Sequence, residues 1–180
     1  AEERKPPILI SRQRGAGAHE VAERLSQRLG WPCYGKNIIY ELAKAFKEDP
    51  KRVEFLDERS RSILLEYTSV FVKDPQASQD EYVQYLKRFL KKLGKVGKCI
   101  IVGRGANFVI PPGDALRVRL VGRPEGWKEA VMGRYGLSED EVERTLEEWD
   151  REQREFVKKF FGADVADPRH YDLVLNLDFY

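Results

Sequence analysis

The 180-residue sequence predicts an α/β protein with a parallel sheet, organised as one domain over residues 1–180. Nearly continuous apolar runs are typical of strands that are buried on both faces of a sheet, and segments with helical spacing lie between these runs. Strands that alternate with helices favour a parallel sheet. The chain length and a hydrophobic content of 42% suit a globular domain with a sizeable core.

Four apolar runs and one shorter candidate mark the predicted strands. The runs are ILI at 8–10, CIIVG at 99–103, LRVRLVG at 116–122 and YDLVLNL at 171–177, and the shorter candidate is PCY at 32–34. The runs ILI and CIIVG contain almost no polar residue, which is the pattern of strands covered on both faces.

Helices are predicted in the intervals between these runs. Gly30 closes the first of them, whose apolar stripe consists of Ala18, Val21, Ala22, Leu25 and Leu29. Residues 138–161 predict a long helix that Ser138 and Glu141 open as a capping box. Residues 36–95 have a mostly helical pattern and no convincing strand, which predicts a helical insertion beside the sheet.

Composition disfavours several classes of protein. The 32 basic and 30 acidic residues leave a net charge of +2, and no dense basic arm indicates a nucleic-acid binder. No apolar run approaches the roughly 20 residues that span a bilayer, and AEERKPP lacks the apolar core of a signal peptide. Cys33 and Cys99 lie in apolar runs and are expected to be buried thiols in a reducing compartment. We therefore expect a cytoplasmic protein that binds neither nucleic acid nor membrane.

The loop after the first predicted strand has the setting of a phosphate site. Gly15 and Gly17 permit a close backbone approach, and the following helix offers unpaired N–H groups to an anion. The usual phosphate loop ends in Gly-Lys-Ser/Thr, whereas Ala18 and His19 stand at the last two positions here. The glycines alone leave a second interpretation open, a strand–helix turn without a ligand.

Two arginines favour the phosphate interpretation. Arg12 and Arg14 flank the turn, and guanidinium groups bind phosphate oxygens through two hydrogen bonds at once. Arg12 is the preferred substitute for the missing lysine charge, while Arg14 is the reserve and is expected to point into solvent. The two histidines, His19 and His170, have no third ligand near them in the sequence, which argues against zinc.

Longer stretches carry a family resemblance. ISRQRGAGAHEVAERL, LGWPCYGKNII, IIVGRGANFVI and DREQREFVKKFFGADVADPRHYDLVLN occur in this order over nearly the whole chain. Together they resemble the cytidylate kinase-like family of P-loop nucleoside monophosphate kinases. The resemblance implies a three-layer fold with a five-stranded parallel sheet, a monophosphate-binding insertion at 36–95 and a lid at about 138–170. It also implies transfer of the ATP γ-phosphoryl to a nucleoside monophosphate such as CMP, with Mg²⁺.

The same resemblance implies roles for particular residues. Arg104 follows a predicted buried strand and matches the arginine that holds the substrate monophosphate, although Gly105 replaces the usual aspartate. Asp57 and Arg59 match the substrate-facing part of the insertion, with an exposed helix face as the alternative. The residues expected to bind the nucleotide are those of the loop, namely Gly15, Ala16, Gly17, Ala18 and His19.

A late helix is expected to bring arginines to the transferred phosphoryl group. At 100° per residue, a basic stripe lies opposite the apolar seam of residues 138–161. The stripe consists of Arg144, Arg151, Arg154 and Lys158. Arg151 and Arg154 are the catalytic candidates together with Arg12, and a solvated helix face is the competing interpretation.

Three functions remain open on the sequence. A phosphotransferase leads. A catalytically impaired nucleotide-binding regulator of the same fold is favoured by Ala18, His19, Gly105 and Gln153, which depart from the usual residues. A module associated with nucleic acid fits the near-neutral charge poorly. The sequence assigns no metal ligands and no oligomeric state.

Overall fold

A computed structural model of the protein describes residues 5–35, 38 and 79–179. Most of the predicted insertion at 36–95, including Asp57 and Arg59, lies outside the described residues. No described helix is both long enough and apolar enough to cross a membrane.

The sheet has five parallel strands in the order β2-β3-β1-β4-β5. The strands are β1 Ile8–Arg12, β2 Cys33–Tyr34, β3 Ile100–Val102, β4 Leu116–Val121 and β5 Leu173–Asn176. The predicted α/β fold with a five-stranded parallel sheet is confirmed, and the predicted strand ends differ from the observed ones by two residues or fewer.

Helices connect the strands. Within the described residues, the α-helices are α1 Ala18–Leu29, α2 Gln79–Val96, α3 Ala106–Val109, α4 Lys128–Tyr135 and α5 Glu139–Phe161. Three short 3₁₀ turns cover Pro124–Trp127, Pro168–His170 and Leu177–Phe179. The capping box predicted at the start of α5 is present, because the Ser138 amide and hydroxyl both contact the Glu141 carboxylate, at 2.9 and 2.7 Å.

Two apolar clusters pack on opposite faces of the sheet and produce the three layers. On one face, Leu9 and Ile101 pack against the side of α2 that carries Phe89. On the other face, the strand residues pack against Ala18 and Ala22 of α1. Alternation along the strands explains the division, since successive side chains point to opposite faces.

One prediction about the cysteines is wrong. Cys99 is buried, and burial raises the pKa of its thiol to about 12. Cys33, in contrast, is exposed, because β2 is a two-residue strand at the edge of the sheet. An apolar run in the sequence does not distinguish an edge strand from a central one.

The strand order brings the loop after β1 beside the loop after β3. Ile10 pairs with Val102 in the parallel register, so both strands end at the same edge of the sheet. Ligands of open α/β sheets bind at this edge, outside the carboxyl ends of the strands.

Candidate nucleotide and phosphate site

The loop between β1 and α1 is built from left-handed glycines. Gly15 has φ of 76° and Gly17 has φ of 69°, a region that other residues enter only with strain. The Gln13 amide donates to the Leu120 carbonyl oxygen at 2.9 Å, which anchors the loop to β4. Gly17 is the N-cap of α1, so the first amides of the helix face the carboxyl edge of the sheet.

The loop after β3 repeats this construction. Gly103, Arg104 and Gly105 have φ of 75°, 60° and 67°, and Gly105 is the N-cap of α3. Within the described residues, Arg104 and Lys98 are the only residues other than glycine with positive φ. Strained backbone of this kind concentrates at functional sites, and here it aims Arg104 into the space between the two loops.

Aromatic side chains close the glycine turns. The Trp127 ring lies against Gly17, so that a Cβ at residue 17 would be 2.5 to 2.7 Å from three ring atoms. The Phe161 ring lies against Gly105 in the same way. A side chain at residue 105, where the resemblance implies an aspartate, would collide with Phe161.

A cleft of about 540 Å³ opens between the two loops and α5. Its cationic side chains are Arg12, Arg14, Arg104 and Lys159. Its aromatic side chains are Tyr82, Trp149, Phe156 and Phe160. The Arg104 guanidinium carbon lies 5.7 Å from the centre of the Phe156 ring. A cleft with clustered guanidinium groups and flat apolar walls suits a ligand that carries both phosphate and a planar ring.

The three arginines repel one another. Burial, and then the charges of Arg14 and Arg104, lower the pKa of Arg12 from 12.5 to about 9. Burial is also the main cause that lowers the pKa of Arg14. The cleft therefore destabilises the charged forms of its own arginines. An anion that binds between them offsets this destabilisation.

Arg14 is held by helix α5. The prediction that it points into solvent is therefore wrong. Its backbone amide donates to Asp150 Oδ1 at 2.8 Å, and its guanidinium carbon lies 5.7 Å from the centre of the Trp149 ring. Burial raises the pKa of the Asp150 carboxyl, and the bond from the Arg14 amide opposes that rise. Arg14 thus connects the loop between β1 and α1 to helix α5.

A second cleft, of about 390 Å³, adjoins the loop through Trp127. Arg123 and Asp178 line it and form an ion pair of 3.1 Å, and the Arg123 amide also donates to the Asp178 carboxylate at 2.6 Å. The phosphate-type loop is therefore bordered by two clefts.

Comparison with known proteins identifies the family. The sequence profile of the cytidylate kinase-like family matches residues 7–178. The chain belongs to the cytidylate kinase-like family. It is 26% identical over 178 residues to a cytidylate kinase of Methanopyrus kandleri, an alignment that covers 94% of this chain and 83% of that protein.

Solved structures share the fold. An uncharacterized protein from Eubacterium ventriosum superposes with a TM-score of 0.70 at 18% identity, covering 97% of this chain and 92% of that one. Shikimate kinase from Bacteroides thetaiotaomicron superposes with a TM-score of 0.53 at 13% identity, covering 96% and 87%. These structures show the fold, which is that of P-loop kinases, and the family match supports a nucleotide kinase.

The lysine of the usual phosphate loop has no equivalent in this chain. Ala18 is 6% exposed and packs in the apolar cluster of α1 and the sheet. The His19 side chain is 62% exposed and faces Glu23, with Nε2 at 3.9 Å from the carboxylate. Of the five loop residues predicted to bind nucleotide, Gly15, Ala16 and Gly17 form the turn, whereas the side chains of Ala18 and His19 point away from it.

The two arginines predicted on α5 lie outside the lining of the cleft. Arg151 is 61% exposed and pairs with Glu148 at 3.7 Å. Arg154 is exposed, and its charge is among those that lower the pKa of Asp150. The structure brings Arg12 and Arg104 together and leaves Arg151 on the solvated face of the helix.

The described residues do not build a magnesium site of their own. Within residues 5–35, 38 and 79–179, no group of three His, Cys, Asp or Glu side chains has the arrangement of metal ligands. The loop also lacks the hydroxyl that P-loops offer to the ion, since His19 stands there. Asp150 is the carboxylate that touches the loop, and it accepts the bond from Arg14.

A buried polar network supports the loop from below. Arg119 Nη1 donates to Ser11 Oγ at 2.8 Å, joining β4 to β1 at the start of the loop. The Tyr171 hydroxyl donates to the Val165 carbonyl oxygen at 2.7 Å and lies 3.2 Å from Ser11 Oγ. Sequence reasoning missed this network, together with Trp127, Trp149 and Asp150. The alternating pattern of LRVRLV was the one local signal, since it placed two arginines within a predicted strand.

Proposed function

We propose that the protein transfers the γ-phosphoryl group of ATP to a nucleoside monophosphate such as CMP. The observation that carries the proposal is the convergence of Arg12 and Arg104 from the ends of β1 and β3 in one cleft of a cytidylate kinase-like fold. Two clefts border the loop, as two nucleotides require. ATP and monophosphates are abundant in the cytoplasm, which is where we propose that the protein acts.

We assign the two clefts to the two nucleotides. The backbone of residues 15–19 holds the ATP phosphates at the N-terminus of α1, and the base of ATP lies toward Trp127 and Arg123. Arg104 binds the phosphate of the acceptor, whose base lies among the aromatic side chains of the larger cleft. Asp57 and Arg59 remain proposed acceptor contacts outside the described residues.

The reaction is a phosphoryl transfer between two phosphates. An oxygen of the acceptor monophosphate forms a bond to the γ-phosphorus as the bond from that phosphorus to the β–γ bridging oxygen breaks. The electron pair of the broken bond leaves with ADP, and the acceptor becomes a diphosphate. Catalysis of this kind is mainly positioning and charge stabilisation, and we assign the stabilising charge to Arg12, with Arg154 or Arg151 added by movement of α5.

Magnesium enters this proposal with ATP. The ion usually keeps several waters and is held by substrate phosphates with one or two carboxylates, so the absence of a built site among the described residues is compatible with delivery by the nucleotide. When bound, the ion neutralises phosphate charge.

The test is a coupled assay of the purified protein with ATP and Mg²⁺ across the common nucleoside monophosphates. We expect ADP release that depends on the acceptor and is fastest with a pyrimidine monophosphate. Arg12→Ala is expected to lower the transfer rate more than it weakens ATP binding, because charge grows on the transferred group during the reaction. No transfer with any acceptor would refute the proposal.

A second candidate function is that of a nucleotide-binding regulator. The burial of Ala18 in the apolar core favours it, because this chain has no place for the usual lysine. A regulator predicts saturable nucleotide binding, measured by calorimetry, in the same preparation that shows no phosphoryl transfer.

A further inference from the structure

Arg14 has an unusual hydrogen-bonding state. Its Nε is buried and has no acceptor among the described residues. Leaving a buried donor of a charged group without an acceptor destabilises the folded state. The rest of the residue is fixed by the Asp150 carboxylate at its amide and by the Trp149 ring beneath its guanidinium. The guanidinium is therefore held at the wall of the cleft, and one of its N–H groups lacks an acceptor.

We propose that Arg14 contacts a phosphate group in this cleft directly, and that Trp149 and Asp150 are the positioning residues that hold it there. The inference rests on the proposed function for the identity of the ligand as a nucleotide, and on the geometry of the cleft for the contact itself.

Arg14 is better suited to this contact than Arg12. The Arg12 guanidinium packs against Gly103, where a Cβ would collide with its Nη1 atom. Arg12 is thus enclosed beside the loop after β3 and contributes positive charge to the cleft from that enclosed position. Arg14 stands on the loop itself, one residue before Gly15, and carries the buried donor without an acceptor. The Arg14 side chain also lines the cleft, and phosphate oxygens are strong acceptors for a guanidinium group.

Two late helices support the positioning. Trp149 and Asp150 are neighbours on α5, so one turn of this helix holds both the amide and the guanidinium of Arg14. Tyr135 of α4 packs edge-on against Trp149, with ring centroids 4.8 Å apart. The orientation of Arg14 therefore depends on α4 and α5 and not only on its own loop.

The direct test uses inorganic tripolyphosphate, which offers phosphate groups without a base or ribose. Calorimetry compares the unaltered protein with Arg14→Gln, and with Arg24→Gln as the matched control, since Arg24 is an exposed arginine of α1. Loss of a charged hydrogen bond predicts roughly tenfold to hundredfold weaker binding for Arg14→Gln. The control is expected to stay within about twofold. Equal affinities of Arg14→Gln and the unaltered protein would overturn the proposal.

Positioning is tested separately from contact. Trp149→Leu is expected to weaken tripolyphosphate binding less than Arg14→Gln does, and to add little in the double variant, because both changes remove the same oriented guanidinium. Arg14→Lys keeps the charge but not the planar fork, so partial binding is expected. Full additivity of Trp149→Leu and Arg14→Gln would mean that Trp149 acts elsewhere. Circular dichroism and thermal melts confirm that each variant is folded.

The outcome also separates this proposal from the proposed function. If tripolyphosphate binds through Arg14 and no monophosphate is phosphorylated, the kinase proposal fails and the contact stands. If phosphoryl transfer occurs and Arg14→Gln changes neither kcat nor tripolyphosphate affinity, the kinase proposal stands and the contact is refuted.

Discussion

Replacement of Gly17 by alanine tests how tightly Trp127 closes the phosphate-type loop. A Cβ at residue 17 would lie 2.5 to 2.7 Å from three atoms of the indole ring. Carbon atoms in contact prefer separations of about 3.5–4.0 Å, so the indole must retreat by roughly 1 Å. Overpacking of this kind costs about 1–3 kcal/mol, in addition to the roughly 1–2 kcal/mol of a left-handed backbone that carries a side chain.

Gly30→Ala is the control for the backbone part of this cost. Gly30 ends the same helix with φ of 64°, close to the 69° of Gly17, and a Cβ there meets no atom within 4 Å. Urea unfolding should therefore show Gly17→Ala to be less stable than Gly30→Ala by about 1–3 kcal/mol. In a Trp127→Ala background the extra cost of Gly17→Ala should disappear. Because Gly17→Ala is then compared with itself, with and without the indole, the different capping positions of Gly17 and Gly30 no longer contribute.

A coupling energy below about 0.5 kcal/mol between Gly17→Ala and Trp127→Ala would refute the collision. The same cycle is needed for any test of phosphate binding at this glycine. Loss of ATP binding in Gly17→Val has two explanations, a blocked phosphate and a displaced indole, and only the Trp127→Ala background separates them.

Three further predictions concern charge. Ala18→Lys should lower the free energy of unfolding by on the order of 3 kcal/mol and should not raise the transfer rate. His19→Lys, at an exposed position, should stay within about 0.5 kcal/mol of the unaltered protein. Equal stability of the two variants would contradict the burial of residue 18. Arg104→Ala should weaken the acceptor monophosphate roughly tenfold to hundredfold and ATP much less, measured by calorimetry, and equal losses would assign Arg104 to another ligand. Hydrogen bonds from Arg169 lower the pKa of Asp167 to about 2, below the unfolded value of about 3.9, so its stabilisation is complete above about pH 4 and is lost as the pH falls toward 2. Asp167→Asn should flatten this acid limb of the unfolding curve, and an unchanged limb would assign the acid loss to other carboxylates.

The elements that sequence reasoning predicted are those with local causes. Continuous apolar runs gave the central strands, the Ser138 and Glu141 pair gave the start of α5, and the position after a buried strand gave the place of Arg104 in the cleft. Each of these depends on residues within a few positions of one another. The prediction that Cys33 is buried was wrong because the exposure of a strand depends on its place in the sheet, which no local pattern contains.

The candidate site was less predictable because its contacts span the chain. Arg14 and Asp150 are 136 positions apart, and nothing near Arg14 in the sequence indicates that a tryptophan and a carboxylate will hold it. Helical periodicity selected the basic stripe of α5 as the catalytic face. The structure directs the Trp149 side of the helix into the cleft and leaves Arg151 paired with Glu148 at the surface.

The burial of Ala18 explains why positive charge must reach this site by another route. A lysine at residue 18 would start from the helix face that packs on the sheet, where the neighbours are apolar. Charge is supplied instead from the end of β1, from the loop and from the end of β3, by Arg12, Arg14 and Arg104. Three guanidinium groups in one cleft repel each other, and burial together with the charges of Arg14 and Arg104 lowers the pKa of Arg12 to about 9. A phosphate ligand relieves that repulsion and offers an acceptor to Arg14, so binding and the stability of the fold are coupled through the same three side chains.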